Sequence, residues 1–78
     1  MTNIKKYQNA FVESLDMKLE DVVNASVENV ETWDSIGQMS LVAVLEETFS
    51  IEFQPDDMIN FDSYSEGIEL LRKYGVEL

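Results

Sequence analysis

Ser35 is the residue of this sequence best placed to do chemistry. It opens a strongly apolar helical segment and is followed three residues later by Gln38, the S-x-x-Q spacing of a capping box in which each side chain satisfies an orphan backbone N–H. A serine there faces free N–H groups and the positive end of the helix dipole, so a phosphodiester on its hydroxyl would sit in a favourable field. The plain alternative is that Ser35 does no more than cap the helix. Other chemistry is sparse. The chain has no Cys and no His, which removes disulfides, thiolate ligands, the commonest general base and any Ser-His-Asp hydrolase. No enzyme is expected. The acids do not follow a D-x-[DN]-x-[DN]-G calcium loop, and Gly37, Gly67 and Gly75 are too scattered to cradle a phosphate. The neighbouring carboxylates Glu46 and Glu47, and Asp56 and Asp57, point apart on a helix and read as solvated faces.

Four helical segments must position Ser35. Ile4, Tyr7, Phe11 and Leu15 recur at three- and four-residue spacing and predict a first helix over Asn3–Leu15. Residues 16–34 have no sustained period, although Leu19, Val22, Val23, Val27 and Val30 supply apolar anchors. They read as a long loop pinned to the core, with room for a short helix around residues 20–23. Ser35–Phe49 is the strongest segment, with Ile36, Met39, Leu41, Val42, Ala43, Leu45 and Phe49 covering more than half its circumference, as in a central helix. Pro55 fits the first position of a short third helix ending near Asn60, with Asp56 and Asp57 in its first turn. Ser63 and Glu66 repeat the capping spacing before a last helix that Arg72, Lys73 and Gly75 bring to a stop. No alternating stretch is long enough for a strand, and a small all-α bundle in one domain, residues 1–78, is the expectation.

Charge narrows the partners. Five basic and 16 acidic residues leave a net charge of -11, and every base lies near an end, at Lys5, Lys6, Lys18, Arg72 and Lys73. Such a surface repels nucleic acid and anionic lipid and suits a basic protein partner. The longest apolar run, residues 41–45, is too short to span a bilayer, and the first residues lack the continuous apolar region of a signal peptide, so neither membrane insertion nor export is expected. The default location is cytoplasmic.

The run Trp33-Asp34-Ser35-Ile36-Gly37-Gln38-Met39, continued by Leu45-Glu46-Glu47-Thr48-Phe49 and Ile51-Glu52-Phe53, resembles the acyl carrier protein family. In that family a D-S-L motif opens the second helix of a four-helix bundle, and an L-E-E-x-F run follows on the same helix. Here the motif reads Asp34-Ser35-Ile36. The likeness covers residues 31–71, including the Pro55-Asp56-Asp57 start of the short helix. It implies an acyl-carrier-like four-helix bundle of three longer helices and one short third helix. It also implies that a phosphopantetheinyl transferase moves 4′-phosphopantetheine from coenzyme A onto Ser35, where the arm's thiol carries an acyl group for a biosynthetic pathway. Asp34 would support the transferase step. Ile36, Met39, Glu46 and Glu47 would meet acyl- or aminoacyl-loading and acyl-transfer enzymes through basic docking patches. The family default is a monomer. Two readings stand beside it: an aminoacyl or peptidyl carrier with the same modified serine, and an unmodified acidic helical module that binds a basic protein. Two departures are Ile36 in place of Leu, which nearly conserves volume, and Trp33 where the family frequently has Gly. Trp33 reads as core packing and points to a specialised carrier. Met39, Val42, Met58, Ile59 and Phe61 read as core rather than as a pocket for an acyl chain.

Overall fold

The first helical period becomes α1 (Asn3–Leu15) in the computed structural model, which describes residues 1–78. Thr2 caps it, its hydroxyl accepting from the Lys5 N–H, and Tyr7, Ala10, Phe11 and Leu15 form its buried face. The helix stops where Asp16 turns into the left-handed region at φ 53°, a conformation that Asp tolerates better than most side chains. The Thr32 hydroxyl donates to the Leu15 carbonyl at 2.6 Å, satisfying a group that a helix end leaves without a partner.

Thr32 belongs to the long connection that the sequence leaves without a period. A 3₁₀ helix, Leu19–Asn24, occupies part of it and turns Val22 into the core. Beyond it the backbone pairs with the joint before the last helix: the Tyr64 N–H donates to the Ala25 carbonyl at 2.9 Å, and the Val27 N–H to the Asp62 carbonyl at 3.0 Å. Backbone pairing of this kind, rather than side-chain periodicity, pins the connection, which explains why its sequence shows only scattered anchors.

Three further α-helices follow: α2 (Ser35–Phe49), α3 (Pro55–Asn60) and α4 (Tyr64–Lys73). The protein is all-helical, with no strands beyond one isolated bridge. Leu41, Val42 and Leu45 bury one face of α2, and Gly37 lets it approach closely, since a Cβ there would lie 2.1 Å from the Thr32 carbonyl oxygen. The apolar coverage of α2 overstates its burial. Ile36 and Met39 are 76% and 73% exposed, because no neighbouring helix covers that stripe. Ile59 on α3 is 79% exposed, so neither it nor Met39 is a core residue, whereas Val42 and Phe61 are, and Met58 is half-buried.

Asp57 also departs from expectation: it is not solvated but 6% exposed. Its carboxylate accepts from the Tyr74 hydroxyl and from the Lys73 ammonium at 2.9 and 3.0 Å, and the Tyr74 oxygen in turn accepts from the Gln54 N–H at 2.8 Å. This network ties α3, only six residues long, to the end of α4. Short helices are marginal alone, so α3 depends on such tertiary ties. At its start, α4 is capped by Ser63, which accepts from the Glu66 N–H at 3.1 Å; at its end Gly75 takes φ 86°. The Val76 N–H reaches the Leu71 carbonyl, closing the last turn.

The core centres on Phe11, whose ring meets Tyr7, Trp33, Phe61 and Tyr64 edge to face at 5.1–6.3 Å. Tyr7 is fully buried and donates to the Tyr64 carbonyl at 2.6 Å, while burial pushes its hydroxyl pKa far above the ordinary value. Gly67 makes room for this contact, since a Cβ there would fall 2.0 Å from the Tyr7 oxygen and 2.5 Å from the Phe61 ring.

Two outcomes follow from this packing. Gly67→Ala should destabilise the fold by about 1–3 kcal/mol, or roughly 4–8 °C in Tm per kcal/mol, measured by thermal unfolding followed by circular dichroism; an unchanged Tm would contradict the close approach. The second concerns pH. Hydrogen bonds from Tyr74 and Lys73 hold the Asp57 carboxyl below its ordinary 3.8, and the Asp57 carboxylate holds Lys73 above 10.5. Asp57 therefore adds stability that is complete above 3.8 and is lost as pH falls through its folded value; the Lys73 share is complete below 10.5 and is lost above it. Asp57→Asn should lower Tm at neutral pH, and the gap from wild type should close in acid. A gap that stays constant into acid would exclude the ion pair as its cause.

Candidate functional site

The start of α2 is capped one residue earlier than the S-x-x-Q spacing predicts. Asp34, in extended conformation at φ -98°, accepts from the Gly37 N–H at 2.9 Å through its carboxylate, and its own carbonyl accepts from the Gln38 N–H at 2.8 Å. Ser35 is thus the first helical residue rather than the cap, and the Ser35–Gln38 capping box does not form. The physical reason is a stronger acceptor next door: an ionised carboxylate makes a charge-assisted bond that a hydroxyl cannot match. Ser35 is exposed, and its hydroxyl takes no part in capping. Of the N–H groups that open the helix, those of Ser35 and Ile36 are left without a partner in the chain.

Gln38 is drawn away by other partners. Its Nε2 donates to the carbonyls of Met58 at 2.8 Å and Phe61 at 3.1 Å, at the end of α3, and its Oε1 accepts from the Trp33 indole N–H at 2.6 Å. With Asp34 as the cap, Trp33 and Gln38 occupy the two positions that a hydrophobic staple joins, but here a hydrogen bond joins them. Trp33 is 3% exposed and stands edge to face with Phe11 at 5.3 Å and Phe61 at 5.5 Å, which confirms its packing in the core.

These residues shape an open groove of ≈ 590 Å³ beside Ser35. Trp33 and Phe61, both buried, form its base; Val27, Met39, Met58 and Ile59 supply further apolar lining, and Asp34 and Asp62 border it. Of the residues singled out in the sequence, Asp34, Ser35 and Met39 meet at the groove, and Ile36 is exposed next to them on the first turn. Glu46 and Glu47 lie eleven and twelve residues along α2 from Ser35, roughly 17 Å away along its axis. Glu47 is exposed, whereas Glu46 is half-buried and accepts from the Phe53 N–H at 2.8 Å, so its carboxylate is engaged in holding the turn after α2.

Sequence reasoning missed Gln38 as the link between α2 and α3. The signal was present in the five-residue separation of Trp33 from Gln38, which acquires meaning once Asp34 is taken as the cap. No group of three or more acidic side chains is arranged to hold a metal ion, and no helix is long and apolar enough to cross a membrane. No protein-family model matches the chain, and no curated protein matches it.

The change of cap reverses an expectation about stability. Asp34→Ala should cost about 0.5–2 kcal/mol, while Ser35→Ala should stay within about 0.5 kcal/mol of wild type. Urea unfolding of both variants checks this, and a larger loss for Ser35→Ala would return the capping role to the serine.

Proposed function

We propose that the chain is an acyl carrier protein, a four-helix carrier in which Ser35 bears 4′-phosphopantetheine. The observation that carries this reading is an exposed Ser35 hydroxyl with no capping duty, on the first turn of α2 and at the mouth of an apolar groove. The Asp34-Ser35-Ile36 motif and the Leu45-to-Phe49 run, on one helix, agree with it. Attachment requires the Ser35 oxygen to attack the phosphorus of coenzyme A bearing the pantetheine, within the active site of a phosphopantetheinyl transferase. A phosphodiester forms, the adenine nucleotide half leaves, and the serine proton passes to a base of the transferase. Once bound, the arm supplies the thiol that carries an acyl group as a thioester.

This chain's own residues receive that group well. The Ser35 and Ile36 N–H groups take no partner within the chain, and they open the end of the helix where the charge of a phosphodiester is favoured. The Asp34 carboxylate holds the first turn through Gly37, keeping the serine presented, and as the residue before the serine it would serve the metal-dependent transferase step. Ile36 and Met39 offer exposed apolar contact next to the serine, and Glu47 offers charge farther along α2 for basic patches on loading and acyl-transfer enzymes. An aminoacyl or peptidyl carrier would use the same serine and the same surface. A second reading rests on that surface alone: an exposed apolar stripe on an acidic protein also suits an unmodified module that binds a basic partner.

Intact-mass analysis after incubation with coenzyme A, magnesium and a broad-specificity transferase separates the readings. One phosphopantetheine should be gained by the wild type and none by a folded Ser35→Ala. A folded wild type that gains nothing, while a known carrier is modified in parallel, would favour the unmodified module.

A further inference from the structure

The groove beside Ser35 stops at Trp33. To pass from the serine into the core between α2 and α3, a chain of atoms would have to displace the indole and part Gln38 from the carbonyls of Met58 and Phe61. Trp33 and Phe61 are buried and Gln38 and Met58 half-buried, and separating these groups would leave donors and acceptors unpaired in apolar surroundings. Behind the indole stands Phe11, and the space around Phe61 is already taken up to Gly67, where even one added carbon would fall 2.5 Å from the ring. The seam is therefore closed by polar bonds and backed by a filled core.

Resting on the carrier reading, we infer that Trp33 and Gln38 determine specificity by keeping the cargo outside the bundle, so that this carrier serves short acyl groups rather than long alkyl chains. The open groove gives the arm and a short acyl group an apolar resting place between Met39 and Ile59. A long chain finds no interior to enter and leaves its methylenes in water, where each is penalised.

The test loads the wild type with acetyl- and octanoyl-phosphopantetheine from the corresponding coenzyme A thioesters and measures thioester cleavage by hydroxylamine. Octanoyl has six more methylenes than acetyl, and their burial would favour a sequestered chain by roughly a thousand-fold. Exposed cargo predicts half-lives equal to within about two-fold, and an unchanged emission of Trp33, the only tryptophan. Octanoyl protection of about ten-fold or more overturns the inference while leaving the carrier standing. Absence of any arm overturns both. Trp33→Leu, or Gln38→Leu if the first does not fold, should open the seam and confer chain-length-dependent protection; a folded variant without it would remove these residues as the determinant.

Discussion

The placement of α3 against α2 rests on one amide. Gln38 receives the Trp33 indole N–H on its oxygen and spends its nitrogen on two carbonyls at the end of α3, so a single side chain links the residue before α2, α2 itself and the short helix. A six-residue helix has too few internal hydrogen bonds to persist alone, and this contact with the Asp57 network on its other side gives it a defined position. The groove beside Ser35 follows directly. Its base is the Trp33–Phe61 pair that Gln38 orients, and its far wall is the α3 residues that the same amide holds.

Helix bounds were legible because the residues that start and stop helices are local. Pro55, Ser63 and Gly75 act through one or two neighbouring peptide groups, and the apolar spacing of α1 needs no knowledge of its partner. The cap of α2 was misread for an equally local reason: Asp34 and Ser35 are both good caps, adjacent, and the S-x-x-Q spacing favoured the second. A distant contact adds to the stronger acceptor of Asp34, because Gln38 can complete a capping box only if nothing else claims it, and Met58 and Phe61 do. Asp57 was misplaced in the same way. Its first-turn position explains a carboxylate on the surface as readily as one turned inward, and the difference lies in Lys73 and Tyr74, sixteen and seventeen residues later. The place of Ser35 at the start of α2 was legible; its freedom from capping was not.

Charge is distributed with a similar division of labour. Most of the 16 acids lie on the surface, where they repel one another, yet those that are engaged act at element ends: Asp34 starts α2, Glu46 holds the turn that follows it, and Asp57 ties α3 to α4. An acidic protein with few bases cannot stabilise itself by many ion pairs, and only Lys73–Asp57 and the exposed Arg72–Glu69 pair are formed. Carboxylates instead accept from backbone N–H groups, a use that needs no cation. The excess charge is left facing outward.

Separating the cap from the serine has a chemical consequence. A hydroxyl that accepted from the helix N–H groups would have to give up that bond, and part of the stability of α2, whenever its oxygen was engaged by another group. With Asp34 carrying the cap, Ser35 keeps the geometric advantage of a helix start without a structural role to lose. The same arrangement keeps the Asp34 carboxylate bonded to the Gly37 N–H, so the first turn is held by a group other than the serine. The first turn of α2 thus leaves the serine exposed, and the neighbouring Trp33–Gln38 pair closes the way from it into the core.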